Sequence, residues 1–98
     1  MVGRIKMIAV VKRQGKKEKF DEKKVYGSVY AACASAQYSE KRCELVAGRI
    51  TKKIKALGAG KTEIKSIQIR KWIEKEMRKT SKELEFFYRL HLPNLRKL

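Results

Sequence analysis

Long hydrophobic runs are absent from this sequence. No apolar stretch approaches the ~20 residues that a membrane-spanning helix needs, and the basic first residues lack the apolar segment of a signal peptide. The two cysteines, Cys33 and Cys43, are too few for a disulfide framework or a four-ligand zinc site. These absences predict a cytoplasmic protein with no membrane contact, whose cysteines are small buried hydrophobic residues.

Acidic residues are also scarce. Ten Asp and Glu residues oppose 26 Lys and Arg residues, which gives a formal net charge of +16, and Asp21 is the only aspartate. The excess is spread over both halves of the chain and favours a polyanionic partner such as a nucleotide, a nucleic acid or an anionic lipid. A Lys/Glu-rich solvated surface of the hyperthermophile type would give the same composition. Charge alone therefore does not identify the partner.

Catalytic and metal-binding patterns are missing as well. No Ser-His-acid set or carboxylate pair stands out, and His91, the only histidine, has no partner at metal-ligand spacing. The sequence therefore predicts no catalytic residue, no metal site and no enzyme.

The elements that the sequence does predict form one α+β domain over residues 1–98. Residues 5–13 are rich in β-branched side chains and predict a strand, Gln14-Gly15 predicts a tight turn, and residues 17–20 predict a returning strand. Four helices follow, at 22–36 after an Asp21 cap, from a Ser39 cap to Leu57, after Ser66, and from Thr80 or Ser81. Pro93 is expected to end the last helix. The predicted architecture is a small four-helix domain capped by a short β-hairpin, or by a three-stranded sheet that Ile64 completes.

Apolar residues at helical spacing predict the core. Trp72, Phe86 and Phe87 are assigned to the core rather than to base stacking. The predicted inward stripes are Val25, Val29, Ala32, Cys33 and Ala36; Cys43, Val46, Ala47, Ile50, Ile54 and Leu57; Ile69, Trp72, Ile73 and Met77; and Leu84, Phe87, Tyr88 and Leu92.

Residues 58–62, GAGKT, look like part of a phosphate-binding P-loop. That motif needs a glycine five positions before its final glycine, and Lys55 stands there instead. A P-loop also follows a strand and opens a helix, whereas a predicted helix precedes this stretch. The sequence therefore predicts a helix-ending loop at GAGKT.

Residues 10–25, VVKRQGKKEKFDEKKV, resemble the opening of the ATP-cone, a small regulatory domain that binds ATP or dATP. The family pattern is an apolar strand ending in Lys-Arg, a polar residue and Gly, then Glu, an apolar residue, Asp or Asn, and Lys followed by an apolar residue. Gln14 departs from the usual Asp or Asn at the turn. Residues 64–77 resemble the family's third strand, helix cap and amphipathic helix, and residues 86–89 echo its Tyr-Arg pair. The order of elements matches over nearly the whole chain.

The resemblance implies that an adenine nucleotide binds mainly at the first strand and the first helix cap. It leaves open whether Mg²⁺ accompanies the triphosphate. The implied nucleotide-binding residues are Val10, Lys12, Arg13, Glu18, Lys19, Phe20, Asp21, Lys24, Val25, Ser66, Arg70 and Arg89.

The chemistry of these residues fits a nucleotide. Lys12 offers a point charge and Arg13 a planar fork to phosphate, although neighbours on a regular strand point to opposite faces. Glu18 and Asp21 can accept from ribose hydroxyls or an adenine amino group. Each residue also has a simpler interpretation: solvated charges at a strand end, a plain N-cap at Asp21, and core positions at Phe20 and Val25.

The resemblance implies a regulatory module rather than an enzyme. In the family the domain sits at the N-terminus of ribonucleotide reductases and follows a zinc ribbon in a repressor of reductase genes. Since neither attachment is visible here, we expect a free-standing cone that acts through its own oligomerisation or a protein partner. The alternative is a basic nucleic-acid-binding protein on the same scaffold, gated by nucleotide; a hydrolase is a third hypothesis, for which the chain lacks a general base.

Overall fold

A computed structural model of the chain describes residues 8–12 and 14–97, with side chains as far as His91. It confirms the α+β class, with four helices and a small three-stranded sheet. The elements are β1 (Ala9–Val11), β2 (Lys17–Lys19), α1 (Glu22–Ser35), α2 (Glu40–Gly58), β3 (Glu63–Lys65), α3 (Ser66–Thr80) and α4 (Lys82–Lys97).

The sheet has the order β2-β1-β3, with β1 antiparallel to β2 and parallel to β3. Val10 pairs with Glu18 on one side and with Ile64 on the other. Because directly paired residues share a face of a sheet, these three side chains lie on the same face. Val10 and Ile64 are buried, so this is the face that the helices cover.

The hairpin turn follows the sequence prediction. Gly15 has a φ of 83°, which favours glycine, and its N–H donates to the Lys12 carbonyl at 2.8 Å. The Lys12 N–H in turn donates to the Lys16 carbonyl at 2.7 Å. The turn thereby fixes the end of β1, where Lys12 stands.

The predicted caps of α1 and α2 are confirmed, and that of α3 is displaced. Asp21 accepts from the Lys23 N–H at 2.9 Å and Ser39 from the Arg42 N–H at 3.2 Å. The prediction that Ser66 caps α3 is wrong by one residue, because Ser66 is already the first helical residue and Lys65 is the cap. Strand β3 runs into α3 without a loop, so the last strand residue supplies the extended backbone that a cap needs.

Helix α4 begins after Ser81, whose hydroxyl accepts from the Glu83 N–H at 3.1 Å. The prediction that Pro93 ends this helix is wrong, since α4 continues to Lys97. Proline removes one donor, the N–H that would reach the carbonyl of Arg89. The helix passes this position with that one bond missing.

The core contains most of the predicted stripes. Every residue predicted on α1 and α2 is buried or packs on the core. Trp72 and Phe87 pack against the core but are only half-buried. Phe86 is 58% exposed, so the prediction that Phe86 belongs to the core is wrong. Leu84 and Tyr88 take the inward positions of α4, and Phe86 lies two residues from each, on the opposite side of the helix. Leu92 lies outside the described side chains.

The GAGKT stretch ends α2, as the sequence predicts. Gly60 has a φ of 86°, and the Lys61 N–H donates to the Gly58 carbonyl at 3.1 Å. A Cβ added at Gly58 would lie 3.0 Å from Cδ1 of Ile64, so the helix end packs closely on β3. Both glycines are explained by the turn and by packing.

Helices α3 and α4 are joined by ion pairs centred on Glu85. Nη2 of Arg78 lies 2.7 Å, and Nη2 of Arg89 3.2 Å, from Oε2 of Glu85. Hydrogen bonds from Arg78, together with the charges of Arg78 and Arg89, lower the pKa of Glu85 despite its partial burial. The folded-state pKa therefore lies below the unfolded-state value, and the ionised form of Glu85 stabilises the fold.

We expect the stabilising effect of Glu85 to depend on pH. Because the folded-state pKa is the lower one, the contribution is complete above about pH 4.5, the ordinary Glu value, and is lost as the pH falls through the folded-state pKa. Urea unfolding should show Glu85→Gln less stable than the wild type at pH 6.5, with a gap that narrows towards pH 3. Glu44→Gln, which removes an exposed carboxylate, should show no such gap; a gap for Glu85→Gln that is constant with pH would contradict the assignment.

Candidate functional site

Three of the predicted site residues meet at the end of the sheet. Oε1 of Glu18 lies 3.6 Å from Nζ of Lys12 and 3.7 Å from Nζ of Lys24. These side chains come from three elements: the end of β1, strand β2 and the first turns of α1. One carboxylate between two ammonium groups leaves an excess positive charge in this Lys12–Glu18–Lys24 cluster.

Strand register and the Asp21 cap bring the cluster together. Glu18 pairs with Val10, and Lys12 follows Val10 by two residues, so both side chains lie on the helix-covered face. The Asp21 cap starts α1 beside the sheet, and the Lys24 N–H donates to the Asp21 carbonyl at 3.1 Å. Lys24 therefore stands one turn into the helix, within reach of Glu18.

The apolar members of the predicted site form its floor. Val10 and Val25 are buried in the core, and Phe20 is half-buried against it. Backbone pairing holds Phe20, whose N–H donates to the Ile8 carbonyl at 2.8 Å. Of the three, only Phe20 retains substantial surface for contact with a base.

The parallel pairing of β1 with β3 brings the start of α3 to the same end of the sheet. Val11 pairs with Lys65, so the next residues along the two strands, Lys12 and Ser66, are neighbours. Ser66 opens a helix of 15 residues, whose first N–H groups have no partner within the helix and favour an anion. Lys12 and Ser66, both predicted to contact phosphate, therefore lie at the same end of the sheet.

Arg70 lies one turn further along α3 and is half-buried. Burial raises the pKa of Tyr88, with the charge of Glu74 adding to the shift and that of Arg70 opposing it. The charges of both α3 residues therefore act on the buried Tyr88 hydroxyl. Arg70 is on the helix face that follows Ser66, which keeps it in line with the sheet end.

The structure does not bring Lys19 or Arg89 to the cluster. Lys19 pairs with Ala9, on the opposite face of the sheet from Glu18. Arg89 forms ion pairs with Glu85 and Glu74, the latter at 3.7 Å. Arg13 lies outside the described residues. Lys16 was not predicted, although it follows the turn directly and is exposed beside Lys12; the Lys-Lys pair after Gly15 was the available signal.

The arrangement suits anion binding. Two ammonium groups and a helix N-terminus face one sheet end, and a carboxylate among them can accept hydrogen bonds. Within the described residues, no group of three or more His, Cys, Asp or Glu residues could hold a metal ion. The same part of the chain has no helix that is long and apolar enough to span a membrane.

Comparison with known proteins agrees with this geometry. Residues 8–93 match the family described as the ATP cone domain, and no curated protein matches the sequence significantly. ATP-cone domains bind adenine nucleotides and are regulatory rather than catalytic modules. Because the match covers nearly the whole chain, this protein belongs to the ATP-cone domain family.

Proposed function

We propose that this protein senses ATP or dATP at the Lys12–Glu18–Lys24 cluster and passes the signal on through association, with itself or with a partner protein. The observation that carries the proposal is the convergence of those three side chains, from three elements, on one sheet end. A triphosphate needs several cations at one place, and this cluster supplies two with a shared counter-charge.

Binding would redistribute the ion pairs of the cluster. The phosphates carry more charge than a single carboxylate, so they compete with Glu18 for Lys12 and Lys24. Glu18 and Asp21 then become acceptors for ribose hydroxyls or the adenine amino group, or partners of a Mg²⁺ ion that travels with the phosphates. Arg13, Ser66 and Arg70 complete the proposed phosphate contacts, and Phe20 contacts the base.

A sensor of this kind must bias a second equilibrium. The cluster spans β1, β2 and α1, while Ser66 begins α3. A nucleotide held by all four elements would fix the hairpin relative to α3. That change at the exposed hairpin end would alter how the surface fits a second copy or a partner protein in the cytoplasm.

A thermal-shift titration tests the binding step. At a ligand concentration of 100 Kd, binding to the folded state adds ~2.7 kcal/mol, which for a domain of this size raises Tm by roughly 10 °C or more. ATP and dATP should both raise Tm in low-phosphate buffer, with GTP as the matched comparison. The absence of any shift at millimolar nucleotide would contradict the proposal.

Two further measurements separate regulation from catalysis. Mass measurement with and without nucleotide should show a change of oligomeric state if the protein acts on itself. If its mass stays constant, nucleotide-dependent capture of a partner is the expected mode. Sustained phosphate release from ATP with Mg²⁺ present would show an enzyme and would overturn the regulatory proposal.

A further inference from the structure

A cavity whose lining includes no member of the Lys12–Glu18–Lys24 cluster lies beside β3. It has a volume of about 390 Å³, and its lining residues are Lys61, Glu63, Ile64, Lys65, Gln68 and Trp72. It therefore lies between the loop that ends α2, strand β3 and the first turns of α3. Trp72 is the only tryptophan in the chain, and it is half-buried here rather than enclosed.

This cavity is separate from the proposed nucleotide site. Trp72 and Arg70 are two residues apart, which places them about 200° apart around α3. Arg70 shares a face of α3 with Ser66, one turn earlier, whereas Trp72 lines the cavity with residues of β3. Among the described strands, β3 pairs with β1 alone, and the Lys12–Glu18–Lys24 cluster belongs to β1, β2 and α1.

The segment beside the cavity has cations and no acid. Residues 45–62 contain Arg49, Lys52, Lys53, Lys55 and Lys61 but neither Asp nor Glu. Arg49 donates to Oγ1 of Thr80 at 2.6 Å, so this side of α2 borders α3. Lys53 lies one helical turn after Arg49 on the same face, in the direction of the loop that carries Lys61.

Arg49, Lys53, Lys61 and Lys65 together form what we call the α2–α3 strip, which ends at Trp72. All four cations are exposed. Among the described side chains none of the four forms an ion pair. The one acid that lines the cavity, Glu63, is already paired with Lys17 at 2.6 Å. The strip thus has uncompensated positive charge next to an accessible aromatic ring.

Backbone groups of β3 add hydrogen-bonding capacity to the cavity. The Ala9 N–H donates to the Thr62 carbonyl at 2.9 Å, which sets the alternation of the parallel pair. In that pattern the N–H and C=O groups of Glu63 and the N–H of Lys65 point away from β1, to an edge with no strand partner among the described residues. The Lys65 carbonyl, at the N-cap, serves the first turn of α3 instead. The groups at this edge and the Gln68 amide can donate to or accept from a base edge, whichever base is present.

We propose that the α2–α3 strip binds single-stranded nucleic acid, with one base stacked on Trp72 and the adjoining phosphates on the four cations. Sequence-tolerant binding of single strands combines these two components, a positively charged track and an aromatic platform. A duplex keeps its bases stacked inside and offers none to a side chain in a shallow cavity. Binding of nucleic acid at the strip would also account for positive charge beyond what one bound nucleotide requires.

The single tryptophan provides a direct probe. Titration of the full chain with 12-mers of oligo-dT and oligo-rU at 50 mM salt should quench Trp72 fluorescence, and the two oligomers distinguish DNA from RNA. Trp72→Leu should weaken binding, measured with labelled oligomers, by roughly tenfold or more. Trp72→Phe should retain most of the affinity, which separates loss of stacking from loss of the fold; affinity unchanged in Trp72→Leu would overturn the proposal.

Matched charge variants test the position of the strip. Arg49→Gln/Lys53→Gln/Lys61→Gln and the dispersed control Lys23→Gln/Lys71→Gln/Lys82→Gln each remove three charges from exposed positions. Since each neutralised phosphate of a single strand contributes about 0.7 to the slope of log K against log salt, the strip variant should reduce that slope by about 2. The control should bind nearly as the wild type does. If both variants lost the same affinity, binding would depend on net charge rather than on the strip, and the proposal would be overturned.

Competing ligands supply the remaining outcomes. The proposal of single-strand binding would also be overturned if duplex DNA bound as tightly as the single strand. Stronger quenching of Trp72 by vesicles containing phosphatidylserine than by the oligomers would overturn it as well. Quenching by ATP alone to the same extent would indicate a second mononucleotide site instead. A Lys12→Ala variant should still bind the oligomers, so the strip and the proposed nucleotide site stand or fall separately.

Discussion

Ile50→Ala is expected to destabilise the protein by about 2–5 kcal/mol. Ile50 is fully buried at the middle of α2 and belongs to the central core cluster. Truncation removes the transfer free energy of its side chain and leaves a cavity between helices that cannot close completely. Since small domains have total stabilities of about 5–15 kcal/mol, the loss is a large share. The urea midpoint should fall strongly with little change in slope.

Graded and exposed variants on the same helix control this result. Ile50→Val deletes a single methyl group and should cost about 0.5–1.5 kcal/mol. Leu45 is 67% exposed on the outer face of α2, so Leu45→Ala should change the free energy of unfolding by less than about 0.5 kcal/mol. A loss at Leu45 as large as that at Ile50 would mean that the inward face of α2 is wrongly assigned.

Local chemistry explains why most of the fold could be predicted from the sequence. Periodic apolar residues locate α1 and α2, and Asp21 and Ser39 mark their starts by side-chain hydrogen bonds. The wrong predictions concern positions whose structure depends on packing or pairing with an element distant in sequence. Phe86 is apolar, but the inward side of α4 is determined by what it packs against, and that side holds Leu84 and Tyr88. The cap of α3 moved to Lys65 because pairing with β1 keeps this residue extended.

The candidate site shows the same division between local and long-range information. The resemblance to the ATP-cone pattern implied Lys12, Glu18 and Lys24 as site residues, and these three meet. It could not reveal the register that places Lys19 on the opposite face of the sheet, nor the ion pairs that hold Arg89 between α3 and α4. Both features depend on contacts between elements that no local pattern records.

Removal of Lys12 is expected to have the largest effect on nucleotide binding. In the proposed mode Lys12, whose Nζ lies 3.6 Å from Oε1 of Glu18, is a phosphate-binding cation at the end of β1, so its loss leaves a phosphate oxygen without a charged partner. Hydrogen bonds to charged groups contribute about 1.5–3 kcal/mol, which makes Lys12→Ala about 10- to 150-fold weaker for ATP and dATP. Isothermal titration calorimetry or the nucleotide-dependent Tm shift would measure the change.

Lys17→Ala is the matched control, because it removes one lysine from the same hairpin and the same net charge. Lys17 pairs with Val11, so its side chain lies on the sheet face opposite Val10 and Glu18, where it contacts Glu63. If the nucleotide binds at the cluster, this variant should keep its affinity within about twofold, since one exposed charge at a distance is screened by salt. Equal losses in the two variants would show that the nucleotide responds to overall charge, and would leave the cluster without its proposed role.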